Sequence, residues 1–256
     1  MANFIYSRVT IEPLESMNKI CSMIENMPKS EYGKETTTVV KTFYSEEELK
    51  KPYNNGETEY PITDVGVKIG WLYDNVGTKW IELGIDDDIR IESPYYIPDG
   101  FLIKLYSLCI DEFSDVKIIC KWYDEFETNC GTALIWNGIY TEDEETLKDE
   151  NIGDPAYQVN GDENIDEIKK WVLSETTEDS YTKPEEIESM NEEELRCLFE
   201  DWKNQGKWNY ITDRQESMYY SCEEAIETED FNFPISRVRR IANVKYEMIT
   251  DCYPFK

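Results

Sequence analysis

The stretch from Asp64 to Gly138 reads DVGVKIGWLYDNVGTKWIELGIDDDIRIESPYYIPDGFLIKLYSLCIDEFSDVKIICKWYDEFETNCGTALIWNG, and the fold class is legible in it. Ile89, Ile91 and the run Ser93–Ile97 predict a strand. Pro98-Asp99-Gly100 breaks it, with Asp99 placed to cap the next helix. Phe101, Leu102, Leu105, Leu108 and Cys109 then recur at helical spacing through Phe113. Val116, Ile118, Cys120 and Trp122 alternate with charged or polar residues, the pattern of a half-buried strand. After a polar turn over Asp124–Asn129, Ala133, Ile135 and Ile139 continue as a second strand.

Toward the N-terminus, Phe4, Tyr6, Val9 and Ile11 predict an opening strand. Pro13 starts a helix carrying Leu14, Met17, Ile20, Cys21, Ile24 and Met27, and Pro28 ends it. Residues 29–65 are polar with few apolar anchors, and Lys51–Pro61 reads as an exposed loop or insertion. Val67, Ile69 and Trp71 alternate as a strand, Tyr73–Trp80 is a turn, and Ile81, Leu83 and Ile85 form the next strand. The sum is a βαββαβ order, with two helices packed on one face of an antiparallel sheet.

Four segments within residues 1–140 resemble one known domain. The opening MANFIYSRVTI is similar to the M-x-N-x-x-x-N-R-V/L-T-I start of the YubB-type ferredoxin-like domain, found in accessory proteins of phages and conjugative plasmids. Asp74–Trp80 (DNVGTKW) resembles its N-W-G-T-K-W signature, most specifically at Gly77-Thr78-Lys79-Trp80. Ile89–Leu108 is similar to its F-x-T-A-W-S-P-P strand and following helix, and Lys121–Gly138 resembles its Y-x-E-x-G-x-x-x-x-G hairpin. Ser7 stands in place of the Asn, Val76 in place of the first Trp, and Tyr95-Tyr96 in place of the Ala-Trp step. The resemblance implies a ferredoxin-like α+β domain over residues 1–140 and a mobile-element setting. It brings no catalytic residues.

Composition narrows the function classes. A 40% hydrophobic and 13% aromatic chain is not disordered, and no apolar run approaches the ~20 residues that span a bilayer. Seven scattered cysteines without a C-x-x-C pair, and an N-terminus without a basic region before an apolar run, point to reduced thiols in the cytoplasm. Histidine is absent, which removes the commonest general base and transition-metal ligand. P-loop, G-x-S-x-G, H-E-x-x-H and G-x-G-x-x-G motifs are absent as well. Asp86-Asp87-Asp88, Glu142–Glu145 and the run from Gly161 lack the alternating ligand spacing of a calcium loop, so neither metal nor cofactor is expected.

Charge is the strongest compositional feature: 26 basic against 55 acidic residues, a net −29. Such a field repels nucleic acid and anionic membranes and attracts basic surfaces. Residues 141–200 hold 21 acidic and five basic side chains, yet apolar helical spacing persists. Ile165, Ile168, Trp171 and Val172 predict one helix. Asn191 with Glu194 forms a capping box for a second, carrying Leu195, Leu198, Phe199 and Trp202 and stopping at Gly206. A third begins near Asp213 with Met218, Cys222, Ala225 and Ile226. Residues 235–250 fit helix or strand, and their arginines can pair with the acidic helices. We therefore expect a smaller, mainly helical acidic domain over residues 141–256.

The sequence supports two functions. In the first, the protein is a non-enzymatic inhibitor from a phage or mobile element. Its carboxylates imitate a polynucleotide and occupy the groove of a basic, nucleic-acid-handling host defence protein. Glu142, Asp143, Glu144, Glu145, Glu185, Glu186, Glu192, Glu193 and Glu194 would form that surface, with Trp171 or Trp202 as anchors. In the second, the ferredoxin-like domain binds a small ligand or nucleotide, as a sequestering protein or enzyme, in a cleft lined by Trp71, Lys79, Trp80 and Tyr95. Direct RNA binding on the sheet requires aromatics set among basic residues, and the acidic run Lys117–Glu127 opposes it. Neither repeats nor heptads support a structural role.

Overall fold

The computed structural model describes residues 3–28, 35–54, 56–148, 165–176, 182–231, 235–242 and 245–250. The fold is α+β, with a mostly antiparallel sheet and a long helix late in the chain. It comprises two compact units, Met1–Thr146 with Gln215–Lys256, and Leu147–Arg214. A boundary after Tyr140 does not separate them, because the chain returns to the first unit at Gln215.

The first unit is built on one eight-stranded sheet. Its strands are β1 (Phe4–Glu12), β4 (Glu82–Ile85), β5 (Ile89–Pro94), β6 (Lys117–Asp124), β7 (Asn129–Trp136), β8 (Ile139–Thr146), β9 (Arg237–Ala242) and β10 (Lys245–Thr250). Their order is β10-β9-β8-β7-β6-β1-β5-β4, with every neighbouring pair antiparallel. Alternation sets the faces: Ile5, Ser7, Val9 and Ile11 of β1 turn inward, while Arg8, Thr10 and Glu12 turn out. Arg237–Ala242 and Lys245–Thr250 are thus strands. They extend the sheet, and the last part of the chain is not mainly helical.

Helices α1 (Leu14–Glu25) and α5 (Asp99–Cys109) pack into the main core. α1 contributes Met17, Ile20 and Ile24, one stripe at helical spacing. Most of the length of α5 is buried, including Phe101, Leu102 and Leu105. Asp99 does not cap this helix as expected. Pro98 is the N-cap, and the Asp99 carboxylate accepts from the Gly100 N–H at 2.7 Å and from Arg239.

Between α1 and β4 the chain forms elements that its polarity concealed. α2 (Thr36–Phe43) buries Val39, Val40 and Phe43, and α3 (Glu46–Leu49) begins with a Ser45/Glu48 capping box. Glu48 also pairs with Lys104 of α5 at 2.7 Å, which ties the insertion to the core. Within the expected exposed loop, Tyr53 is buried. β2 (Ile62–Thr63) and β3 (Gly66–Val67) make a small hairpin. The strand expected over Val67–Trp71 is instead helix α4 (Ile69–Asn75), with Trp71 and Leu72 inside and Ile69 exposed.

Ala133, Ile135 and Ile139 do not share a strand. Asn137 and Gly138, with φ of 50° and 73°, form a two-residue turn that pairs Trp136 with Ile139. The Tyr106 hydroxyl accepts the Gly138 N–H at 3.0 Å.

The second unit contains α6 (Ile165–Glu175), α7 (Pro184–Ser189) and the first part of α8 (Glu192–Thr228). Ile168, Val172, Ile187, Leu195 and Phe199 form its core. Asn191 and Glu194 bond reciprocally at 3.0 and 2.9 Å, the expected capping box. Gly206 does not stop the helix. It is buried inside α8, whose 37 residues join the two predicted helices into one. A mid-helix glycine costs only about 1 kcal/mol, which apolar contacts on both sides of it readily offset.

The C-terminal portion of α8 supplies Cys222, Ala225 and Ile226 to a separate apolar cluster with Leu134, Ile139 and Val238 of the sheet. Gln215 anchors it: the Nε2 donates to the Trp122 carbonyl, and its own backbone carbonyl accepts from Thr132 Oγ1, both at 2.8 Å. Lys117 and Lys121 of β6 pair with Glu223 and Glu216 on this helix, both at 2.5 Å. Among the described residues, no helix is long and apolar enough to cross a membrane.

Candidate functional site

The glutamates expected to form one acidic surface are divided between the two units and differ in burial. Glu142–Glu145 lie on β8 in the first unit; Glu185, Glu186, Glu192, Glu193 and Glu194 lie on α7 and α8 in the second. On β8, only Glu144 of the four is exposed. Asp143 accepts a 3.2 Å hydrogen bond from Ser236, and Glu145 is half-buried. Glu142 is 4% exposed, so it cannot present a charge to a partner.

In the second unit all five glutamates are exposed. Glu186 and Glu194 accept backbone N–H groups of Lys183 and Asn191, and Glu192 pairs with Arg196 at 3.0 Å. The expected anchors are not outward-facing hot spots. Trp171 stacks edge-on against Phe199 and Trp202, and both tryptophans pack on the core of the unit. Their apolar area serves the small helical core, which has few other large side chains.

The four residues expected to line a ligand cleft do not form one accessible lining. Trp71 is fully buried edge-on against Tyr44. Lys79 lies over the Tyr95 ring at 4.9 Å, and Trp80 packs against Phe4 at 5.7 Å. Thr78 is buried and donates to the Pro94 carbonyl at 3.0 Å, so the Gly-Thr-Lys-Trp turn holds β5 in place.

A different constellation is assembled by the register of β8 and β9. Tyr140 faces Arg239 and Glu142 faces Arg237 directly across the strands. Period-two alternation sends all four side chains to one side, while Val238 goes to the other and Arg240 pairs with Glu229. Arg237 Nη1 lies 3.2 Å from Glu142 and 3.9 Å from Asp99, and Arg239 pairs with Asp99. The Tyr140 hydroxyl donates to Glu142 at 2.8 Å. Burial pushes the Glu142 carboxyl up to about 7, despite the opposing pull of Arg237 and Tyr140.

This network opens into a cleft of about 480 Å³ bordered by Tyr73, Gly77, Tyr96, Asp99, Arg237 and Arg239. Gly77 has φ of +90°, and a Cβ there would run into the Asp99 carboxylate and lie 3.0 Å from the Asp99 nitrogen. Only glycine allows α4 to end so close to the start of α5.

The other side of the sheet carries a second unexpected group. Arg8 lies directly opposite Arg90 on β5 and Lys121 on β6, a cross-strand row of three cations. Beside it Tyr6 and Tyr123 stack at 5.5 Å. Glu82 and Glu92 oppose each other nearby, so this face is mixed in charge.

The sequence marks Asp99 as a cap and expects the C-terminal arginines to pair with the acidic helices; Arg237 and Arg239 pair instead with Glu142 of β8 and Asp99 of α5, because the chain returns to the sheet as β9. The Asn137-Gly138 dipeptide was the available signal, because it sets the β7–β8 hairpin on which this register is built. Among the described residues, no group of three or more Cys, Asp or Glu converges as a metal site. No family model matches the chain, and no curated protein and no solved structure is significantly similar to it.

Proposed function

We propose that the protein is a non-enzymatic, acidic binding protein that inhibits a basic, nucleic-acid-handling partner by occupying its polyanion groove. The observation that carries this reading is the exposed set Glu185, Glu186, Glu192, Glu193 and Glu194 at the starts of two helices of the second unit. Helices hold these carboxylates at fixed spacing, so a cationic groove meets them with little ordering cost. The net charge of −29 steers a basic partner toward them over a distance set by ionic strength. Glu142, Trp171 and Trp202 are no part of this surface.

The setting is a phage or mobile element acting in the host cytoplasm, as the resemblance of residues 1–140 implies. The antiparallel order β6-β1-β5-β4, with α1 following β1 and α5 linking β5 to β6, supports reading the core as a ferredoxin-like βαββαβ domain. On that reading, α2 to α4 are an insertion and β7 to β10 an extension beyond β6.

An affinity capture from bacterial lysate across a salt series tests the function. A basic nucleic-acid-binding protein should be retained and released steeply as salt rises, and adding duplex DNA should displace it. Reversing Glu185, Glu192 and Glu193 to Lys should abolish capture while the helical circular dichroism stays unchanged. Equal capture by the folded reversed variant rejects the assignment.

A further inference from the structure

The cleft between α4, the start of α5 and β9 belongs entirely to the first unit and has its own chemistry. In an acidic chain it places two guanidinium groups, Arg237 and Arg239, at one concave site. Arg237 reaches Glu142 at 3.2 Å and Asp99 at 3.9 Å, so its guanidinium is held on one side by two carboxylates. An arginine held from behind in this way is fixed for bidentate contact with an oxyanion. The Asp99 charge does not dominate the site, because it is shared by Arg237, Arg239 and the Gly100 N–H. At the rim, Asp74 is exposed and accepts the Asn54 N–H at 2.6 Å.

Two large rings stand at the mouth. Tyr73 is 47% exposed and Tyr96 61%, above a floor containing the buried Ile97. Exposed tyrosines beside paired arginines provide flat faces and charge-assisted donors in one cleft. A volume of about 480 Å³ lies in the range that takes a small cofactor-sized molecule.

We propose that this cleft binds a small planar aromatic ligand carrying one oxyanion, a phosphate or a carboxylate, with the ring between Tyr73 and Tyr96 and the anion on Arg237 and Arg239. Proton uptake accompanies binding. Glu142 is faced by Arg237 from β9, by Asp99 from α5, and by Tyr140 and Glu144 along its own strand, while Arg239 pairs with Asp99. A ligand anion competes with Glu142 for the Arg237 guanidinium and drives the buried carboxyl toward its neutral form. Affinity should therefore rise as pH falls through neutrality.

Calorimetric titration of the full chain with AMP, adenosine, inorganic phosphate and benzoate tests the proposal. AMP should bind at least about tenfold tighter than adenosine and inorganic phosphate, since ring and anion are both required. Benzoate binding in place of AMP would identify the anion as a carboxylate, again on the same residues. Tyr96→Ala, a surface change, should weaken the winning ligand about tenfold. Arg237→Met/Glu142→Gln, which removes both facing charges together, should abolish binding and its pH dependence. Arg240→Met, on the opposite face, should leave both intact. No saturable binding of AMP or benzoate in the millimolar range overturns the proposal. So does wild-type affinity in both the Tyr96 and the Arg237/Glu142 variants.

Discussion

Arg237 Nη1 lies 3.2 Å from Glu142 Oε2, and the two residues are direct cross-strand partners on β9 and β8. The pair joins a C-terminal strand to the centre of the first unit, and among the described ion pairs its carboxylate is the most buried. A buried pair of this kind is costly to form and costlier to break on one side only.

Arg237→Met alone should therefore lower stability by roughly 1–3 kcal/mol, because Glu142 would be left buried without its counter-ion and would take up a proton. The double variant Arg237→Met/Glu142→Gln should recover most of that loss. Urea denaturation of the wild type, both single variants and the double variant gives the coupling energy directly. Additive effects would show that the pair does not act as a unit.

Glu142 also makes a pH-dependent contribution of unusual sign for a carboxylate. Burial raises its carboxyl from an ordinary 4.5 to about 7, so between these values the folded state holds a proton that the unfolded state has released. Stability should fall as pH rises through this window and then level off above it. In Glu142→Gln this component should be missing, which a comparison of urea midpoints at pH values across the window would reveal. Carbon-detected NMR of the Glu142 carboxyl should show it titrating near neutrality.

Asp124 should behave in the opposite way. Burial alone would raise its carboxyl, but hydrogen bonds from Thr128 and Asn129 outweigh that and hold it below the usual range. It accepts from the Thr128 N–H and Oγ1 at 2.6 Å and from the Asn129 N–H at 3.1 Å, closing the β6–β7 turn. Asp124→Ala should cost about 2–3 kcal/mol at neutral pH. The contribution is present above the ordinary carboxyl value of 3.8 and is lost as pH falls through the lower folded value. The wild-type and variant denaturation midpoints should converge in that acid range.

Arg8 faces Arg90 and Lys121 across the exposed side of the sheet. Like charges at directly opposed positions are destabilising, so Arg8→Glu should raise stability by roughly 0.2–1 kcal/mol and Arg8→Thr by less. The gain should shrink at high salt, since Arg8 and Arg90 are exposed and screened, whereas Lys121 is half-buried and paired with Glu216. A salt-independent gain would point to packing as its source.

The first strand, α1, β5 and β6 were legible because each buries one regular stripe, so the apolar period matches the local geometry; α5 was legible from its helically spaced apolar residues although it is buried on nearly all sides. Ile5, Val9 and Ile11 in β1 and Met17, Ile20 and Ile24 in α1 are examples. α2 was not legible because Thr36-Thr37-Thr38 hides a two-turn helix whose apolar residues are Val39, Val40 and Phe43. Val67, Ile69 and Trp71 alternate like a strand, but Ile69 is exposed and the burial of Trp71 with Leu72 follows a helix. Short elements give too few periods to distinguish the two geometries.

The candidate site was legible only in its parts. Charge could be counted, but strand parity does not decide whether a glutamate is inside or outside: Glu142 and Glu144 share a parity and differ in what covers them. Arg237 and Arg239 could not be placed before the chain was known to return to the sheet after α8.

The α+β class, the acidic character and the helical capping at Asn191 are all written in the chain, because each depends on composition or on near neighbours along it. Three further relations arise only on folding: Arg237 meets Glu142 and Asp99, Trp171 and Trp202 pack on the core of the helical unit, and Tyr73 and Tyr96 share a cleft. Each of these brings together residues far apart in sequence. Local periodicity carries no information about which strand pairs with which, or about what the opposite face of a helix will meet.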